Sequence, residues 1–372
     1  MASKLTIGTA RAEPGKIVYG SFDAVGLPTG ETDRFPILIA QGRKDGPTFW
    51  VTGSIHGNEH TGMASIHHLM TPDLVGDLRG TVIGVPTLNP AGMRTGSRSP
   101  YYDEADPNRL FPKLLAEPRD PDDMPSAIEV AYERLFAIIT DTADYLIDLH
   151  NAYIGSIPFA FRDLVFFTEG GKDKFLRSRE EAESLYTRTD EMLTAFGFSV
   201  VNEYASDTYL RDNLHRSVSG AALNAAGIPG FTVELGSFLH LDKGVVEAAV
   251  TGLKNILRRV GMLPGDIEPI TQIPVIDVGY PVRRRLHPYV AEAGIVYPLV
   301  REGEIVQKGQ PIARLVDVWG RPIGPDSGLL RTEFDGWVMC YLSGIMRYAN
   351  EPVALLAVRD DGSLIVPYRP GH

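Results

Sequence analysis

Along the first 260 residues, short apolar runs bounded by glycine alternate with longer segments whose apolar positions recur at helical spacing. Thr48-Phe-Trp-Val-Thr52, Thr81-Val-Ile-Gly-Val85, Tyr145-Leu-Ile-Asp-Leu149 and Gly230-Phe-Thr-Val-Glu-Leu235 read as buried strands. Between them, segment 126–143 places Ile128, Ala131, Leu135 and Ile138 on roughly one face, and segments 181–196 and 243–260 also read as helices. Strands alternating with helices predict an α/β fold whose largely parallel sheet is covered on both faces. The pattern changes after Leu263. Pro264-Gly-Asp-Ile-Glu-Pro269 and Thr271-Gln-Ile-Pro274 read as a linker. Beyond Gly279, β-type runs at 294–297, 303–306, 311–316, 336–339 and 352–357 are separated by glycine turns and predict a small all-β region. The expected division is an α/β domain over 1–268 and a β-rich domain over 269–372.

Composition narrows the class. The 372 residues suit about two domains and bury enough surface to need no disulfide or structural metal. Thirty-six basic against 47 acidic residues give a net charge of −11, which argues against nucleic acid or an anionic membrane as partner. Cys340 is the single cysteine, so no internal disulfide forms and any metal must be bound by histidine and carboxylate. No apolar run reaches signal-peptide or membrane-spanning length, and the expected location is the cytoplasm.

Candidate chemistry lies at the ends of the predicted strands, where α/β sheets place their sites. Gly53-Ser-Ile-His56-Gly57-Asn58-Glu59 follows one strand and precedes a predicted helix, and Gly57 permits a tight turn between His56 and Glu59. Imidazole nitrogen and carboxylate oxygen suit zinc, although an His-x-x-Glu pair is by itself better explained by exposed loop residues. Asp148-Leu-His150-Asn151 ends another strand and supplies His150 as a third ligand. Asp148, two residues before it, shares its face and is placed to accept the other imidazole N–H. A buried Asp–His pair without metal is the plainer alternative for this motif alone; two such strand ends together favour zinc. Three protein ligands leave a position for water, whose pKa zinc lowers to about 7. Glu234, where an apolar strand meets Gly236, is a candidate base for that water, or else a solvated turn residue. Arg94, Arg98, Asn108 and Arg109 lie in loops after the strand at 81–85; guanidinium groups bind carboxylates and stabilise oxyanions, and Arg94 reads as an ordinary surface residue.

These motifs occur in one order: Gly53-Ser-Ile-His56-Gly-Asn-Glu59, Asn89-Pro90 with Arg98 nine residues on, Asp106-Pro-Asn108-Arg109-Leu-Phe-Pro, Asp148-Leu-His150-Asn151 and Val233-Glu234-Leu-Gly236. The set resembles the succinylglutamate desuccinylase/aspartoacylase family, a branch of the zinc carboxypeptidase superfamily. The resemblance implies a mixed sheet flanked by helices and followed by a small all-β domain. It also implies one zinc ion per chain on His56, Glu59 and His150, with Glu234 as general base and acid. Arg98 would polarise the scissile carbonyl and stabilise the oxyanion, and Asn108 and Arg109 would hold the substrate's α-carboxylate. The spacer from Arg98 to Asp106 is longer than in aspartoacylase, which leaves Arg94 as the alternative oxyanion group. The stretch from Val300 to Ile312, with Phe334-Asp-Gly336-Trp-Val, resembles a biotinyl/lipoyl-type fold. Lys308 lacks the Met-Lys-Met or Asp-Lys-Ala hairpin, so the region reads as structural, walling the active-site mouth.

The function so implied is a zinc-dependent amidohydrolase that deacylates a small, carboxylate-bearing N-acyl amino acid. A zinc metallocarboxypeptidase, which removes a C-terminal residue from a peptide, shares the metal and the base. A non-catalytic binding or carrier protein built around the β region would lack stoichiometric zinc. Neither the acyl group nor the oligomeric state is written in the sequence.

Overall fold

The computed structural model describes residues 5–114, 124–168 and 177–369. Its main sheet has twelve strands. In chain order they are β1 (Lys16–Gly26), β2 (Thr32–Gln41), β3 (Lys44–Gly53), β4 (Arg79–Val85), β5 (Tyr145–Ala152), β6 (Phe159–Arg162), β7 (Val200–Asn202), β8 (Gly230–Ser237), β9 (Val282–Leu286), β10 (Ile305–Val306), β11 (Gly336–Tyr341) and β12 (Ala354–Arg359). Across the sheet the order is β10-β11-β12-β9-β7-β6-β8-β5-β3-β4-β2-β1. The central strands β8, β5, β3 and β4 are mutually parallel. Antiparallel pairs flank them, β6 on β8 at one side and the β1–β2 hairpin on β4 at the other.

The sheet is therefore mixed, and the expectation of largely parallel strands holds for its centre. All four strands read from the sequence lie there, because burial on both faces demands the continuous apolar runs that make a strand legible. The β1–β2 hairpin was not anticipated. Lys16-Ile-Val-Tyr-Gly-Ser-Phe-Asp-Ala-Val-Gly26 interleaves apolar with polar residues and is only partly buried, which dilutes its signal.

Alternation along β3 divides the core. Phe49 and Val51 pack on one face with Ile147, Leu149, Phe231 and Val233, under the helices Thr61–Leu69, Arg179–Phe196 and Lys243–Arg259. Trp50 points to the other face, where it meets Ile83, Leu146 and the helix Ala127–Thr142. Ser126 caps that last helix by accepting from the Glu129 amide. The helix expected from residue 181 starts at Arg179, because Ser178 and Glu181 form a capping box and the acid occupies the third helical position.

Among the described residues beyond Leu263 there is no α-helix. The β-type runs are divided between two sheets. β9 to β12 extend the main one, while Gly294–Pro298, Pro311–Val316, Leu329–Arg331 and Met346–Arg347 form a separate four-stranded sheet. No described helix is long and apolar enough to cross a membrane.

Candidate metal centre and active site

The C-terminal ends of the central parallel strands carry the candidate residues. After β3 ends at Gly53, Ser54 takes a left-handed conformation (φ 46°) and its hydroxyl donates to the Glu59 carbonyl at 2.5 Å, folding the loop that bears His56 and Glu59. His150 stands on β5 and Glu234 on β8, in register with each other. His56 Nδ1 lies 2.7 Å from Glu59 Oε1, and His150 Nδ1 lies 2.9 Å from Glu59 Oε2. All three side chains are buried, and their donor atoms lie within 4.8 Å of one another.

The outer nitrogens of both rings face carboxylates. His150 Nε2 is 2.6 Å from Asp148 Oδ2, and His56 Nε2 is 3.0 Å from Asp106 Oδ1. Asp148 is itself fixed by the Thr52 hydroxyl at 2.6 Å. When the Nε2 protons are donated outward, each Nδ1 presents a lone pair to the Glu59 carboxylate. In that tautomer the facing acceptors would be bridged by a cation, and two imidazole nitrogens with one carboxylate are a donor set suited to zinc. Burial works to raise the Glu59 carboxyl, but the two neighbouring imidazoles outweigh it and hold it far below the usual carboxylate range. Burial likewise works against a charged His150, and Asp148 and Glu59 overcome it to raise that ring well above its ordinary value.

The nine-residue spacing from Asn89 to Arg98 has a structural cause. Asn89 Oδ1 caps the short helix Pro90–Thr95 by accepting from the Gly92 amide at 2.8 Å, and its Nδ2 donates to the Arg98 carbonyl at 3.0 Å. The same carbonyl accepts from the Gly57 amide at 3.2 Å, tying the arginine to the His56 loop. Gly57 is required by this close approach. A Cβ there would sit 2.0 Å from the Gly92 carbonyl carbon and 2.2 Å from the Met93 nitrogen. Gly57→Ala is expected to cost about 1–3 kcal/mol of stability by overpacking. It should also lower kcat/KM by about 10²-fold through displacement of His56 and Arg98. Thermal denaturation and steady-state kinetics read the two effects; wild-type values for both would contradict this role.

The His56–Glu59–His150 cluster opens into a cavity of about 590 Å³, a size suited to a small molecule. Arg98 lines it, with Nη2 2.7 Å from Asp106 Oδ2 and Nη1 3.6 Å from Glu59 Oε1. Glu234 lines the same cavity, on the strand next to His150. Its Oε2 is enclosed without a hydrogen-bond partner, and burial pushes its carboxyl up to about 7. Asn108 accepts from the Val218 amide at 2.9 Å and brings its Nδ2 to 3.3 Å from His150 Nε2. With that nitrogen's proton given to Asp148, it has no lone pair to offer, so the Asn108 amide hydrogens remain available to the cavity. Arg109 donates to the Asn108 carbonyl at 2.7 Å, and among the described residues no carboxylate lies within ion-pair distance of it.

Arg94 is elsewhere. It makes two contacts to Asp33, at 2.8 and 3.0 Å, and does not line the cavity. His215 is buried beside cavity-lining Leu214 and Ser217 but does not line the cavity itself. The sequence motifs assign no role to Asp106, which holds His56 and Arg98, nor to Asp163, Glu203 and Arg284, which line the cavity. The last three carry no local motif and meet only through the sheet. Ser343 and Leu355 of the β-rich region complete the wall.

Residues 45–164 match the family model described as the succinylglutamate desuccinylase/aspartoacylase catalytic domain. An N-alpha-acetyl-L-2,4-diaminobutyric acid deacetylase from Halomonas elongata is 25% identical over 307 residues, 81% of this chain and 79% of that protein. A succinylglutamate desuccinylase/aspartoacylase structure from Rhodobacter sphaeroides aligns with a TM-score of 0.71 at 21% identity, covering 93% of this chain and 96% of that one. The product-bound ectoine utilization protein EutE (DoeB) from Ruegeria pomeroyi gives a TM-score of 0.69 at 20% identity, over 92% and 95% of the two chains. The family resemblance holds. Four of the five ordered motifs fall inside the matched segment, and the motif at 233–236 lies beyond it.

Proposed function

We propose that this chain, which carries the succinylglutamate desuccinylase/aspartoacylase catalytic domain over residues 45–164, is a zinc-dependent amidohydrolase that deacylates a small, carboxylate-bearing N-acyl amino acid. One observation carries the reading: His56, Glu59 and His150 converge in a cavity that also holds the orphaned carboxylate of Glu234. These three residues would hold one zinc ion per chain, which when bound supplies Lewis acidity and a water of lowered pKa.

The chain's own residues do the rest. Glu234 takes a proton from the attacking water and returns it to the leaving nitrogen as the amide bond breaks, yielding a carboxylate and an amine. A carboxyl titrating near neutrality suits both transfers. Arg98, held beside Glu59, donates to the oxygen that becomes negative as the carbonyl is attacked. The free Asn108 amide and Arg109 hold the substrate's carboxylate and so align the acyl group. Residues 269–372 are read as a biotinyl/lipoyl-like domain without a covalent cofactor, contributing Ser343 and Leu355 to the wall.

Arg98→Ala is expected to lower kcat by about 10²–10³-fold. Arg109→Ala should act mainly on KM, since it binds ground state and transition state alike. Equal effects on KM in both variants would contradict this division. The function itself is tested by a screen of N-acetyl and N-succinyl amino acids alongside dipeptides, with and without chelator. Chelator-sensitive release of an amino acid from N-acyl substrates is expected; release from dipeptides alone would replace deacylation with carboxypeptidase activity.

A further inference from the structure

We propose that the substrate carries a cationic side chain and that Asp163 is the group that receives it. This rests on the amidohydrolase reading above and names the class of N-acyl amino acid the site takes. β6 runs antiparallel to β8 with Phe159 in register with Glu234, and side chains two residues apart share a face. Phe159, Phe161 and Asp163 therefore follow one another along the cavity floor that starts at Glu234, and all of them line the cavity. Four residues of extended chain span roughly 13 Å. With the Glu234 and Asp163 side chains both reaching inward, the aromatic stretch between them leaves room for a side chain of a few methylenes.

Charge identifies what that side chain ends in. Glu59 is matched by two imidazoles, Asp106 by Arg98, and Asp212 by Arg211 at 3.0 Å. Glu203 is matched by Arg284 at 2.7 Å, whose guanidinium is also held 3.9 Å from the Tyr204 ring centre. Three cavity charges lack a counter-charge among the described residues. Arg109 suits the α-carboxylate and Glu234 belongs to the reaction. Asp163 remains.

Only 5% of Asp163 is exposed, and the side-chain hydrogen bond it accepts comes from the Ser219 hydroxyl at 3.5 Å, which does not cancel charge. Among the described residues no cation lies within ion-pair distance of Asp163, since Arg284 is taken up by Glu203, and burial with the nearby Glu203 pushes its carboxyl up to about 7. An ammonium on the substrate supplies the missing positive charge. A carboxylate at the same place meets repulsion instead, which selects against N-acyl derivatives of aspartate and glutamate.

The test uses wild-type protein and Asp163→Asn with N-α-acetyl-L-2,4-diaminobutyrate, N-α-acetyl-L-ornithine, N-acetyl-L-norvaline and N-acetyl-L-aspartate. For the better diamino substrate, wild-type kcat/KM should exceed that for the norvaline derivative by about 10²-fold, with the aspartate derivative poorer still. Asp163→Asn should shrink the ratio of cationic to neutral substrate at least about 30-fold, through KM. Hydrolysis without preference for a charged side chain, or a preference that survives Asp163→Asn, overturns the assignment and leaves the amidohydrolase reading standing. No hydrolysis of any of the four, nor of their N-succinyl counterparts, overturns both. A further measurement needs no variant: free 2,4-diaminobutyrate should inhibit the wild-type enzyme at least about tenfold better than free 2-aminobutyrate, and equal inhibition overturns the proposal.

Discussion

Glu234→Gln is expected to lower turnover by about 10³-fold or more while zinc stays bound. Gln keeps the shape of the side chain and removes its ability to carry a proton, so binding and folding should change little. The expected size follows from general base and acid catalysis, worth about 10²–10⁴-fold when one group serves both transfers. The structure supplies the reason Glu234 is singled out. It is the carboxylate beside the His56–Glu59–His150 cluster whose Oε2 is enclosed without a partner, and its surroundings raise its carboxyl to about 7. Glu59, by contrast, is committed to two imidazoles. Glu234→Asp should recover part of the loss, since the carboxylate survives one methylene further from the water. Near-wild-type kcat in Glu234→Gln would refute the mechanism, whatever its metal content.

His150→Ala should abolish both metal binding and activity, and should also lower the stability of metal-free protein. The imidazole is buried between Asp148 and Glu59, with Asp148 Oδ2 at 2.6 Å and Glu59 Oε2 at 2.9 Å. Removing it strands Asp148, which is fully buried and keeps only the Thr52 hydroxyl. Taking one member from a buried charge pair costs about 3–5 kcal/mol. Chemical denaturation in the presence of chelator isolates this cost from that of losing the metal. Unchanged stability of His150→Ala under those conditions would show that the Asp148–His150 contact does not support the fold.

The parts of this molecule legible in its sequence are those written locally. His56 with Glu59, and Asp148 with His150, are short motifs at strand ends, and the parallel centre of the sheet advertises itself through unbroken apolar runs. Arg98 was legible as family pattern, but its physical basis was not: Asn89 clamps the Arg98 backbone, and Gly57 lets the two loops touch. The far end of the cavity left no local trace. Asp163 follows β6, Glu203 follows β7 and Arg284 lies on β9, and they meet because these strands are neighbours in the sheet. A four-residue strand such as Phe-Ala-Phe-Arg offers too few positions for its period to show. The continuation of the main sheet into β9 to β12 was hidden for a similar reason, since glycine-punctuated β runs announce strands without naming their partners.

On the proposed mechanism, His56, Glu59 and His150 would hold one zinc ion that works with Glu234 to hydrolyse an amide. Titrating metal-free protein with zinc while following deacylation of an N-α-acetyl amino acid tests it most directly. Activity should be absent at the start, rise in proportion to added zinc and break at one equivalent per chain, and zinc should restore none to Glu234→Gln. Full activity before any zinc is added, or zinc bound at one equivalent with no hydrolysis of any N-acyl amino acid, would contradict it.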